Sequence, residues 1–182
     1  MMISEKTQLL VNHTTEYELL GKLKRNILYG IETIGFNLDA NTKILCCSPD
    51  YSASHCQYLS HALTPTGVPL EVINVEMPYP KEYFDIECPV QLKTSYSPYG
   101  NKIPSAVKNI IIYDSAIIRG INFKELRDVL ESEWANYGVR NVVWASMFLH
   151  SKSSFKPLVT VRTYDQDDLQ FWWENDKNPY WD

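Results

Sequence analysis

Apolar positions along the chain alternate between two rhythms. From Thr15 to Phe36, Tyr17, Leu20, Leu23, Ile27, Leu28, Ile31 and Ile34 recur three or four apart, which predicts a helix with one buried face. Thr15 and Glu18 have the spacing of a capping box at its start. Lys43 to Ser48 and Leu70 to Val75 are short apolar runs, predicted as strands. Between them a loop, Ser48 to Ser54, leads into a helix that Ser52 or Ser54 caps and that buries Tyr58, Leu59, Ala62 and Leu63. Strand, helix and strand joined this closely make a parallel crossover unit.

The second half repeats the alternation. Ile110 to Ile112 are continuous and β-branched, as in a central strand covered on both faces. Asp114 then falls at or just past the strand's carboxyl end, where open α/β sheets bind ligands. Asn122 and Glu125 mark a helix start, whose free N–H groups suit an anion. Phe123, Leu126, Val129, Leu130 and Trp134 give that helix its core face, and Gly138 stops it. Asn141 to Leu149 and Pro157 to Arg162 are predicted as the fourth and fifth strands. The expected fold class is α/β: an open, mostly parallel, Rossmann-like sheet of about five strands flanked by helices, in one domain spanning 1–182.

Two stretches depart from the rhythm. Residues 77–105 are rich in proline and tyrosine without apolar periodicity, and read either as a lid over a site or as a surface excursion. Pro98-Tyr99-Gly100-Asn101 supplies turn chemistry for a short hairpin within it. Residues 164–182 are acidic and aromatic and read as a hood or packing segment. There Trp172 and Trp173 either stack a base or pack into the core.

Composition narrows the partners. Seventeen basic against 22 acidic residues give a formal net charge of -5, which does not indicate nucleic acid. No apolar run approaches the roughly 20 residues of a membrane span, and no signal-peptide layout opens the chain, so a cytoplasmic location is expected. Cys46 and Cys47 should point to opposite faces of one strand, as buried free thiols. His55 and His61, six apart, do not share a helix face and do not suggest a metal site. Asp165, Asp167 and Asp168 lack the glycine turn of a calcium loop.

The segment Ile110 to Asn122 resembles the phosphoribosyl pyrophosphate signature of the type I phosphoribosyltransferases, in a degenerate form. In that family four apolar residues precede two acids, two more apolar residues, a small loop ending in threonine and glycine, and a helix. Ile110-Ile111-Ile112-Tyr113 stand for the apolar run, Asp114 for the first acid and Gly120 for the loop glycine, while Asn122 stands where a hydroxyl residue is usual. The long first helix, the loop after the first strand, the long segment before the signature and the Phe171-Trp172-Trp173-Glu174 close extend the resemblance over most of the chain.

The resemblance implies a ribosyl phosphate or nucleotide ligand, with Asp114 as the catalytic residue on the ribose. Asp114, Ser115, Arg119, Gly120, Ile121 and Asn122 would surround ribose and phosphate. Ser48, Pro49, Asp50, Tyr51 and Ser52 would form the pyrophosphate loop, with Mg²⁺ held through bound pyrophosphate and no metal site built from side chains alone. It implies transfer or cleavage of a base at the anomeric carbon (pentosyltransferase or N-glycosidase chemistry), and a homodimer or a protein complex. Several positions depart from the pattern, among them Ile121 in place of a small residue and a pyrophosphate loop without glycine. Ser115 replaces the second acid, Ile118 takes the usual acid–base position, and Arg119 replaces a small residue, either to contact phosphate or to fill the site. Such changes also fit a non-catalytic or toxin-like effector subunit, similar to those of some bacterial retron-like antiviral defence systems, or a regulatory subunit.

Overall fold

A computed structural model describes residues 8–39, 41–47, 49–64, 66–76, 91–93, 108–121, 123–128, 131, 139–166 and 168–171. Along the chain these form β1 (Gln8–Val11), α1 (His13–Ile34), β2 (Lys43–Cys47), α2 (Pro49–Ala62), β3 (Glu71–Glu76), β4 (Gln91–Lys93), β5 (Asn109–Ile117), β6 (Asn141–His150), β7 (Val159–Tyr164) and β8 (Asp168–Phe171). Residues 123–128 are helical as well. The main sheet runs β4-β3-β2-β5-β6-β7. Five of its strands are parallel, and β4 is antiparallel to β3. The α/β class and the parallel order expected from the sequence are therefore present.

Helix α1 begins two residues before the expected capping box. Asn12 is its cap, taking the Thr15 N–H on its side-chain oxygen at 2.8 Å, and Gly35 ends it at φ 73°. The buried face carries Glu16, Leu19, Leu20, Leu23, Ile27, Gly30 and Ile31. Tyr17, Leu28 and Ile34, expected inside, lie outside because the inner stripe runs through residues 16, 20, 23, 27 and 31. Alternation along the central strand divides the core as a two-sided sheet requires. Ile111, Tyr113 and Cys46 pack beneath α1 and α2 with Leu23, Ile27, Cys56 and Leu59. Ile110, Ile112 and Cys47 pack on the other face with Phe123, Leu126 and Phe155. Cys46 and Cys47 thus take opposite faces as expected, and with Cys56 they are buried free thiols.

Several local expectations change. The loop placed at Ser48 to Ser54 is helical from Pro49, because proline suits a first helical position and α2 starts directly off β2. The strand that begins at Asn109 does not end before Asp114 but continues to Ile117, held by pairing with β6. Residues 77–105 contain the short strand β4. Strand β1, for which the sequence carried no expectation, and β8, within the segment read as a hood or packing segment, pair in parallel and bring Val11 beside Phe171. The expected hairpin around Pro98 to Asn101, and Val129, Leu130, Trp134 and Gly138, lie outside the described residues.

Candidate functional site

The site follows from where two strands stop. Strand β2 ends at Cys47, and its pairing with β5 ends at Cys46 opposite Tyr113. On the other side β6 stays with β5 as far as Leu149 opposite Ile117. Asp114 therefore sits where the sheet steps down between β2, which turns back through α2 to β3, and β5, which runs on toward β6. Reversal of strand order at such a point opens the crevice that α/β proteins use for ligands.

Where β2 stops, a side chain replaces the ladder. The Ser115 N–H donates to the Ser52 hydroxyl oxygen at 2.9 Å, and the Ser52 hydroxyl donates to Asp114 Oδ1 at 2.9 Å. Ser52 Oγ also lies 3.0 Å from Ser115 Oγ. Ser115 Oγ is 3.0 Å from His55 Nδ1, which is 2.8 Å from the Tyr113 hydroxyl. His55 Nε2 meets the Glu16 carboxylate in the first turn of α1. The edge of Phe171 from β8 approaches the His55 ring, with centroids 6.3 Å apart. All six polar residues are buried, with Asp114 at 5% exposure and His55 at 1%.

Burial fixes the charge states of the neighbours. It pushes the Tyr113 phenol well above its ordinary range, with the thiol of Cys56 adding to the effect. Burial likewise raises the thiols of Cys47 and Cys56, with smaller contributions from other groups including Asp114. Both remain uncharged at neutral pH.

Beyond Ile117 only Ile118, Arg119 and Gly120 separate the strand from the helical residue Ile121. Gly120 has φ 78°, and a Cβ there would lie 2.6 Å from Ser153 Oγ and 2.7 Å from the Phe155 nitrogen. The Arg119 carbonyl accepts from both the Ser154 N–H and the Ser154 hydroxyl, each at 2.9 Å. The Gly120 carbonyl accepts the first helical bond, from the Lys124 N–H at 3.2 Å. A segment from the β6–β7 connection thus clamps the loop from outside. Ile118 is 53% exposed, and Arg119 is exposed as well.

The sequence-predicted residues separate accordingly. Asp114, Ser115 and Ser52 converge, and Arg119, Gly120 and Ile121 follow in the loop. Pro49, Asp50 and Tyr51 occupy the first turn of α2 rather than a loop. Ser48, Asn122, Trp172 and Trp173 lie outside the described residues. Glu16, His55 and Tyr113 were not singled out as site residues. A glutamate on an otherwise apolar helix stripe was the one available signal, and its partner lies 39 residues away. Among the described residues, no three His, Cys, Asp or Glu side chains gather as a metal site, and no helix is long and apolar enough to cross a membrane.

No family model and no curated protein matches the sequence. Solved structures do. A Helicobacter pylori xanthine-guanine-hypoxanthine phosphoribosyltransferase is 14% identical, with a TM-score of 0.62 over 95% of this chain and 96% of its own. A purine phosphoribosyltransferase from Pyrococcus horikoshii is 15% identical, with a TM-score of 0.59 over 92% and 93%. A Neisseria gonorrhoeae hypothetical protein with bound ppGpp is 12% identical, with a TM-score of 0.59 over 93% and 90%. The sheet order, the step at Asp114 and these likenesses together give the chain a type I phosphoribosyltransferase-like fold.

Proposed function

We propose that the protein binds a ribosyl phosphate or nucleotide at the step between β2 and β5. The observation that carries this reading is the position of Asp114, a carboxylate at the strand-order reversal, on a strand that runs on to Ile117 and then into a tight loop and a helix start. Asp114 accepts from the sugar hydroxyls. The N–H groups of the Arg119-Gly120-Ile121 turn and the Arg119 guanidinium take the phosphate, since both donate to anionic oxygen. Any Mg²⁺ is carried in by the ligand's phosphates. Glu16 is engaged with His55, so the described site offers chiefly the Asp114 carboxylate, too few oxygens for an all-protein magnesium cage. Similar structures named for purine transfer, and one with bound ppGpp, support a purine nucleotide or its ribosyl precursor.

Transfer or cleavage at the anomeric carbon needs charge stabilisation as the leaving group departs, and a group to manage the base's proton. Ile118 supplies neither, and Ser115 is turned into the buried network. These two observations favour a second reading: a non-catalytic or toxin-like effector subunit in which nucleotide occupancy is the signal passed to a partner.

Calorimetry with phosphoribosyl pyrophosphate, with and without Mg²⁺, on wild type and Asp114→Asn tests the binding reading. Magnesium-dependent heat in the wild type, weakened at least about tenfold in the variant, is the expected result, because one charged acceptor is lost. Absence of heat in both proteins, repeated with purine nucleotides, would remove it. Release of free base from a bound nucleotide would decide for the enzyme over the effector.

A further inference from the structure

We propose that Glu16 and His55 are positioning residues of the Asp114 site, and that Ser115 and Ser52 relay a proton between the His55 imidazole and the Asp114 carboxylate. This deepens the reading in which a ligand meets Asp114.

The polar atoms form one chain. Asp114 Oδ1 lies 2.9 Å from Ser52 Oγ, which lies 3.0 Å from Ser115 Oγ, which lies 3.0 Å from His55 Nδ1. The other ring nitrogen, Nε2, ends on Glu16. Proton counting sets the direction. Ser52 has one hydroxyl proton and directs it to Asp114, so Ser115 donates in the Ser115–Ser52 contact. Ser115 has then used its own proton and accepts from His55 Nδ1–H.

A concerted shift conserves every atom. The Nδ1 proton passes to Ser115 Oγ, the Ser115 proton to Ser52 Oγ, and the Ser52 proton to Asp114 Oδ1. Both hydroxyls are regenerated; a ring that starts with a proton on each nitrogen ends as neutral imidazole, and the carboxylate ends as a carboxylic acid. The regenerated Ser115 hydroxyl then donates back to Nδ1, beside the Tyr113 hydroxyl 2.8 Å from the same nitrogen, whose phenol burial keeps protonated. Glu16 holds the proton on Nε2 before and after, so the exchange is confined to the Nδ1 side. Against His55 lie Glu16 of α1, Tyr113 and Ser115 of β5 and Phe171 of β8, with Asp114 reached through Ser115 and Ser52.

The consequence lies at the ligand. As a carboxylate, Asp114 accepts from a sugar hydroxyl. As an acid, it donates to an anionic or leaving atom. Proton exchange that Ile118 cannot provide from the loop side is thereby supplied from beneath the site.

Imidazole ¹⁵N spectra at pH 7, with the His55 signals assigned through His55→Gln, read the relay without any ligand. Asp114→Asn is expected to move the Nδ1 resonance toward the unprotonated-nitrogen position. In a Ser115→Ala background the same change is expected to leave it in place, since the wire is cut while His55 and Glu16 remain. An equal displacement in both backgrounds would mean charge acting through space, and no displacement in either would mean no link. Either result overturns the relay. Should Ser115→Ala fail to fold by circular dichroism, Ser115→Cys weakens the same link at nearly the same volume. A parallel titration with Mg²⁺-phosphoribosyl pyrophosphate separates the two ideas, because failure of the wild type to bind removes the ligand reading and leaves the spectra to judge the relay.

Discussion

At the scale of single residues, Gly120 shows how a loop so near the site is fixed. A left-handed φ costs a non-glycine residue roughly 1–2 kcal/mol by itself. Here a Cβ would also press on Ser153 and on the Phe155 backbone at 2.6 to 2.7 Å. Gly67 has the same φ of 78° with nothing within 4 Å of its Cβ position, so it reports the dihedral cost alone. Gly120→Ala should therefore lose about 1–3 kcal/mol more stability than Gly67→Ala in urea unfolding. Equal losses would show that the clamp from residues 153–155 yields freely. Gly120 stood out in the sequence through the resemblance to the signature, but the packing that demands a glycine there was not legible. The atoms that demand glycine arrive from a segment more than 30 residues later. His55 and Glu16 were hidden in the same way, since a buried polar pair leaves no period in the sequence, and spacing tests for metal ligands pass over it.

At the scale of elements, α1 carries two glycines that make opposite demands. Gly21 has open space around its Cβ position, whereas a Cβ on Gly30 would lie 2.9 Å from Val159 Cγ2 on β7. Alanine gains up to about 1 kcal/mol over glycine in a helix interior, from lower backbone entropy in the unfolded chain. Gly21→Ala should raise the urea midpoint. Gly30→Ala should lower it, because Val159 is buried and has little room to retreat. A rise in both would mean that α1 rides loosely on β7. Elements with clear periodicity, α1 and the parallel strands, were legible from sequence to within a few residues. Those governed by pairing were not: β1 and β8 each have four residues, too few to show a period, and they exist as strands through each other. The continuation of β5 past Asp114 is of the same kind, since β6 holds the strand after its own apolar run has ended.

At the scale of the molecule, the two core layers share a liability that appears only in alkali. Cys47 lies in one layer, and Cys56 and Tyr113 lie in the other, close to Asp114 and to each other. Each is an acid whose folded value stands above its unfolded one, chiefly because burial disfavours the anion. The sign follows from linkage. Below about pH 8.5, where unfolded thiols are protonated, both states bind the same protons and stability is whole. As pH rises further, the unfolded chain releases thiol protons that the folded chain retains, and stability drains until the raised folded values are reached. Each thiol contributes a loss of about 1.4 kcal/mol per pH unit in that window, and Tyr113 joins it above about pH 10. The urea midpoint should therefore be level between pH 7 and 8 and fall steeply between pH 9 and 10. Cys47→Ala and Cys56→Ala should each make that fall shallower, although the cavities they leave lower the starting stability. The same burial should protect both thiols from alkylation in the native protein at pH 8 and expose them in urea. A midpoint that holds level to pH 10, or thiols that react without urea, would place ionised sulfur inside the folded core and contradict the packing around Asp114.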